Sequence, residues 1–221
     1  MTRIRFSEAD HQRVSEAVAA AEHSTAGEIV TIVAERSDAY HDVGLHYAVA
    51  AMLIAAVLVA AWPGPLEHWL GWTSGPEVAR TAYWLAIAQA VLFLAVRYAL
   101  AWMPARMALT PGATRTRRVR RRAFELFRAS AEKRTRGRVG ILLYLSLAEH
   151  RAEIIADEAI HSKVPEERWG ESMAALLAKL HQGDAAGGMV DAVAKIAAIL
   201  EEPFPRDAHD VNELPDRLIE L

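Results

Sequence analysis

Residues 43–62, VGLHYAVAAMLIAAVLVAAW, constrain the chain more than any other stretch. They contain no Asp, Glu, Lys or Arg, and as a helix they extend about 30 Å, the thickness of a bilayer's hydrocarbon core. His46 lies near one end, within reach of an interface. A second run, 82–103 (AYWLAIAQAVLFLAVRYALAWM), holds Gln89 at mid-run and Arg97 close enough to its end to snorkel. Nothing else in 221 residues is large enough to cover two helices that are apolar all round. Five of the six tryptophans (62, 69, 72, 84 and 102) fall in or beside this region, as expected of aromatic residues at membrane interfaces.

The flanking charges orient the pair. Of Lys and Arg, the connection 63–81 carries only Arg80. The N-terminal side offers Arg3, Arg5, Arg13 and Arg36, and the second run is followed by Arg106, Arg115, Arg117, Arg118, Arg120, Arg121 and Arg122. The positive-inside rule predicts a helical hairpin with its Trp-rich turn outside and both termini in the cytoplasm. The expected location is the inner (cytoplasmic) membrane, multi-pass. The first residues, MTRIRFSEADHQRV, lack the apolar core of a secretory signal.

Composition fits such a division. Apolar residues make up 52% of the chain while charged residues still reach 24%, so a very apolar part coexists with an ordinary one. A net charge of −3 gives no overall field for nucleic acid, and the absence of cysteine removes disulfides, thiolate metal sites and a cysteine nucleophile.

Outside the hairpin the pattern is α/β. Ser7 is a candidate N-cap for a helix with Val14, Ala17, Val18 and Ala21 on one face. TAGEIVTIVAE reads as a turn and a buried strand, and TRTRRVRRRAFELFRASAEKR as a helix burying Val119, Ala123, Leu126 and Phe127. GRVGILLYLSL is the strongest strand, and RAEIIAD follows a short turn as its antiparallel partner. The crossover from the first strand through the helix to GILLYL implies a parallel pair. Two helices follow, one opening at Pro165 and closing at Gly183, the other capped by Asp184 with Met189, Val193, Ile196 and Leu200 on one face. The expected divisions are 1–42, 43–103, 104–202 and a tail from 203 to 221, read as loop with at most a short final helix.

The segments TAGEIVTIVAE, GRVGILLYLSLAEHRAEIIADEAI and GDAAGGMVDAVAKIAAIL together resemble the TPM family, sometimes called TPM phosphatase domains, and especially its membrane-protein branch of unknown function. The resemblance covers about residues 7–200. It implies an α/β/α sandwich with a small mixed sheet, here interrupted by a two-helix transmembrane hairpin. More weakly it implies divalent-metal binding (Ca²⁺ or Mg²⁺) and phosphatase activity, which attach to only some members. Where soluble members carry a Gly-Tyr-Gly-like turn after the returning strand, this chain has Asp157-Glu158-Ala159, a backbone without the freedom of a double glycine.

Topology offers two acidic groups as candidate metal or ligand sites. Asp38, His41 and Asp42 follow the first strand, and Glu149 and His150 follow its parallel neighbour, at the carboxyl ends where open sheets bind ligands. Carboxylates and neutral imidazoles there suit a hard or borderline cation, whereas the plainer reading is a solvated loop. At the opposite edge Glu28 is expected near Asp157 and Glu158; a cation is one reading, and pairing with Arg136 or Arg138 the other. No catalytic residue is assigned with these. The chain lacks a His-Glu-x-x-His pattern, a phosphate-binding P-loop and a Gly-x-Ser-x-Gly elbow.

The basic run Arg115, Arg117, Arg118, Arg120, Arg121 and Arg122 begins a dozen residues past the second apolar run. It suits anionic lipid headgroups, each cation near the surface contributing about 1 kcal/mol. A purely orienting role needs only its position, and no interleaved aromatics favour nucleic acid. These observations lead to a membrane-anchored, TPM-like domain with a cytoplasmic binding or regulatory role. Its expected partners are the bilayer and a membrane protein. The alternatives are a divalent-metal phosphatase acting on phosphomonoesters and a lipid-coupled scaffold.

Overall fold

The structure, a computed structural model, describes residues 6–62, 64, 77–130, 139–206 and 216–221. The chain forms two compact units, Met1–Asp38 with Gly112–Leu221, and Ala39–Pro111.

The first unit opens with α1 (Glu8–Glu22), which starts where the sequence signals it. The Ser7 hydroxyl accepts the Asp10 N–H, and the Asp10 carboxylate accepts the Ser7 N–H, a reciprocal capping box. Hydrogen bonding to Ser7 holds the Asp10 carboxyl below its usual range. Strand β1 (Glu28–Ala34) follows, buried along its whole length. After the second unit come α5 (Gly112–Ser130), β2 (Gly140–Ser146) and β3 (Arg151–Ala156). A single turn, α6 (Glu158–His161), and a 3₁₀ turn at Glu166–Trp169 lead to α7 (Gly170–His181), α8 (Ala185–Leu200) and β4 (Ile219–Glu220).

The sheet order is β3-β2-β1-β4. β1 runs parallel to β2, with Glu28 opposite Gly140, and β3 returns antiparallel to β2, with Ser146 opposite Arg151. Because side chains alternate across a strand, the sheet has two apolar faces. Ile29, Val33, Ile141, Leu143 and Leu145 meet α1, α7 and α8 through Val18, Leu176 and Ile196. Val30, Ile32, Leu142, Tyr144 and Ile155 are covered by Val119, Ala123 and Phe127 of α5. Three layers result, α/β/α around a small mixed sheet, as the sequence led one to expect.

The tail differs from expectation. Residues 219–220 form β4 parallel to β1 rather than loop or helix. The Leu221 N–H donates to the Val33 carbonyl, the Glu35 N–H donates to the Leu221 carbonyl, and Leu218 is buried in the core. Burial of one leucine and the open hydrogen-bonding edge of β1 together outweigh the weak strand propensity of so short a segment.

The glycine pair of the DAAGG segment is explained by packing. Asp184 caps α8 by accepting the Gly187 N–H, and its carboxylate fills the space where a Gly187 Cβ would stand. At Gly188 a Cβ would lie 2.9 Å from the Leu176 carbonyl oxygen of α7, so α7 and α8 approach backbone to side.

The second unit holds α2 (His41–Ala61), α3 (Glu77–Ala99) and α4 (Met103–Leu109). α2 packs along α3, with Gly44 set against Leu100 beyond the end of α3. Both helices are long and apolar enough to cross a membrane, and only 17% of the apolar stretch of α2 and none of that of α3 is buried. Large apolar side chains such as Leu53, Ile54, Val57 and Val91 are exposed. Arg106, counted with the orienting cations, is buried within this unit. It donates to the Leu100 and Ala39 carbonyls at 2.7 and 2.6 Å, satisfying backbone acceptors at the end of one helix and the approach to another.

Candidate functional site

At the carboxyl end of β1 and β2 the ladder continues past the strands, with the Leu147 and Ala148 N–H groups donating to the Ala34 and Glu35 carbonyls. This sets Ser37 and Asp38 beside the turn at 147–150. Glu149, only 3% exposed, accepts the Ser37 N–H at 3.0 Å on one carboxylate oxygen and the Ser146 hydroxyl on the other. The Ser37 hydroxyl donates to Ser146 at 2.9 Å and lies 3.0 Å from the Tyr144 hydroxyl. Since the Ser146 and Ser37 protons are committed onward, Tyr144 is the donor to Ser37, and the chain of hydroxyls ends on the carboxylate. Burial pushes the Tyr144 phenol above its usual range, which keeps that proton in place.

Asp38 is held by Arg118 at 2.9 Å and Arg121 at 3.2 Å, both from α5. His150 takes a left-handed backbone (φ 50°), and its ring stacks on His181 at 5.8 Å. Within the first unit Asp38, Glu149 and His150 lie at this one edge of the sheet. His41 and Asp42 open α2 and belong to the second unit, where His41 Nδ1 lies 3.3 Å from Arg106.

A hard divalent cation needs several uncommitted oxygens. Here Asp38 is paired with two guanidiniums, and both oxygens of Glu149 accept hydrogen bonds. Among the described residues no group of three or more His, Asp or Glu is arranged to hold a metal ion. The residues of this edge do not fit Ca²⁺ or Mg²⁺; they fit a latch that fixes the segment leaving β1.

At the opposite edge, Asp157 accepts the Gly140 N–H on its side chain and donates its own N–H to the Gly140 carbonyl, while Gly140 stands opposite Glu28 in the ladder. Glu28 and Asp157 thus flank one residue; Glu158 begins α6 and is exposed. Arg136 and Arg138, the expected counter-charges, lie outside the described residues.

Sequence reasoning missed two carboxylates here. Glu22 and Asp216 line a small pocket with Glu28, Thr25, His23 and Arg206. Glu22 accepts the Ile29 N–H at 3.0 Å. Its burial, helped by the Glu28 and Asp216 carboxylates, pushes its carboxyl up to about 8. At neutral pH Glu22 therefore carries a proton and shares a hydrogen bond with Asp216. Glu22 was findable as an acid at the C-terminal end of α1, where the helix dipole disfavours a negative charge. Asp216 had no local signal, being 194 positions away in the chain.

The three layers and the mixed four-stranded sheet form an α/β/α domain. The family model for the TPM domain matches residues 107–199, from the end of α4 to the end of α8. A solved structure with a similar fold is the NMR structure of the BA42 protein from the psychrophilic bacterium Bizionia argentinensis. It is 17% identical, with a TM-score of 0.58, and the match covers 100% of both chains. No curated protein matches the sequence.

Proposed function

We propose that this chain is a membrane-anchored TPM module. In this reading α2 and α3 cross the inner membrane as a hairpin, the Trp-rich connection is outside, and the TPM domain lies in the cytoplasm, where it binds or regulates a partner. The observation that carries the reading is the exposed apolar surface of α2 and α3, of whose membrane-length stretches 17% and none is buried. In water, apolar area on that scale costs about 25 cal/mol per Å², a penalty that lipid removes. The exposed arginines of α5, Arg117, Arg120 and Arg121, supply charge for anionic headgroups.

Binding is favoured over hydrolysis because Asp38 and Glu149, the acids a metal-dependent phosphatase would use at the strand ends, are committed to arginines and to hydroxyl and amide donors. The test is membrane fractionation with alkaline extraction, alongside phosphomonoester hydrolysis with Mg²⁺, Mn²⁺ or Ca²⁺. The chain is expected in the extracted membrane pellet, with no metal-stimulated turnover. Turnover abolished by Asp38→Ala or Asp157→Ala would replace the binding reading with the phosphatase one. Neutralising Arg120, Arg121 and Arg122 is expected to weaken binding to anionic lipid without unfolding the domain.

A further inference from the structure

The seam between α5 and β3 carries more positive charge than its surroundings neutralise. Strand alternation puts Arg151, Glu153 and Ile155 on the face covered by α5, where Ile155 joins Val119 and Ala123 in the core. Arg115 stands one turn before Val119 and so lies on the same side of the helix. Arg151 reaches the first turn of α5, its Nη2 lying 3.6 Å from where a Gly112 Cβ would stand. The Nε atoms of both arginines are buried and have no hydrogen-bond partner, and neither guanidinium makes an ion pair among the described residues.

The neighbouring charges do not resolve this. Asp38 is taken by Arg118 and Arg121. Glu153 shares the seam, but its own burial raises its carboxyl, against the pull of Arg120 and Arg151. Two half-buried guanidiniums with unused donors are costly unless an anion meets them.

We propose that Arg115 and Arg151 form a binding site for a terminal phosphate, at the first turn of α5. Each planar guanidinium presents donors in a fork that matches two phosphate oxygens, and two such forks balance a phosphomonoester dianion where one carboxylate would satisfy only one. Gly112 leaves room for the ligand and for Arg151, and the free N–H groups of a 19-residue helix add to the field. Two sources carry this chemistry, inorganic phosphate and the headgroup of a phosphatidate. The lipid source rests on the membrane reading above, whereas the inorganic one does not.

The test uses the full chain in a neutral detergent micelle at matched ionic strength, with melting temperature as the readout. Inorganic phosphate is titrated in one arm; in the other, micelles are doped with phosphatidate or phosphatidylcholine. Phosphate is expected to raise the melting temperature saturably. Arg115→Gln and Arg151→Gln each abolish that rise, while Arg168→Gln, exposed in the 3₁₀ turn away from α5, keeps it. In phosphate-free buffer Arg151→Gln melts no lower than the parent, because a like charge has been removed. Where a Gln variant does not fold, Arg115→Lys and Arg151→Lys, which keep the charge but lose the fork, are expected to bind about tenfold more weakly. A rise with phosphatidate but not phosphatidylcholine, lost in the same variants, identifies the lipid source; a rise with inorganic phosphate alone identifies the free one. The proposal is overturned if neither probe gives a saturable rise, if the rise survives in both the Arg115→Gln and Arg151→Gln variants, or if Arg168→Gln removes it equally. Failure of membrane anchoring leaves the inorganic-phosphate arm intact, so the two readings fail separately.

Discussion

Glu22 is the residue whose chemistry departs furthest from its ordinary behaviour. It is protonated when folded, up to about pH 8, and ionised when unfolded above its usual 4.5. Between those values the folded chain binds one more proton than the unfolded one, so stability is highest below 4.5 and falls as pH rises through 8. Glu22→Gln imitates the protonated form and removes that slope. In denaturant melts the variant should match the parent near pH 5 and exceed it at pH 9, by on the order of 2 kcal/mol after allowance for solvent screening. Equal slopes for the two proteins would show that Glu22 does not hold the proton. Glu149 makes a different prediction, because removing it strands the Ser37 N–H and the Ser146 hydroxyl. Glu149→Ala should cost about 2–3 kcal/mol, and hydrogen exchange should speed up at Ser37 before it does in the strands. Both acids were hard to interpret from sequence. Glu149 could be placed at a strand end, but its partners, Ser37 and Ser146, could not be chosen without the ladder that continues past β1.

At the scale of elements the sequence was largely readable, for a physical reason. The buried strands EIVTIVA and GILLYLS are continuous β-branched and leucine-rich runs, because both of their faces are covered. The helices α5 and α8 repeat apolar residues every three or four positions, because one stripe of each faces the sheet. What could not be read depends on distant partners. β4 is two residues long and exists because β1 has an open edge. The Gly187-Gly188 pair was recognisable as a family-like helix start, but its causes are the Asp184 carboxylate packed at Gly187 and the close approach of α7 at Gly188. Gly188→Ala should therefore cost about 1–3 kcal/mol, against the gain of about 1 kcal/mol from Gly→Ala in an uncrowded helix. A variant as stable as the parent would mean the two helices have room to separate. Similarly, the basic run on α5 reads as one patch in sequence, but the fold divides it. Arg118 and Arg121 hold Asp38, Arg117 and Arg120 are exposed, and Arg115 lies in the β3 seam.

For the whole molecule, the two units have opposite relations to water. One buries its apolar residues between sheet and helices; the other presents Leu53, Ile54, Val57 and Val91 outward along two long helices. The chain leaves the first unit after Asp38 and returns to it at Gly112. The pairing of Asp38 with Arg118 and Arg121 ties these two points together, within the unit that holds residues 112–199 of the segment matched by the TPM domain model. Membrane anchoring with the domain on the cytoplasmic side is open to a direct test, because the chain contains no cysteine. Gly71→Cys, in the connection between the apolar runs, and Ser162→Cys, exposed on the TPM domain, are treated in intact cells with a membrane-impermeant maleimide. Gly71→Cys is expected to label from outside, and Ser162→Cys only after the membrane is permeabilised. Labelling of Ser162→Cys in intact cells, or of Gly71→Cys only after permeabilisation, would contradict this topology.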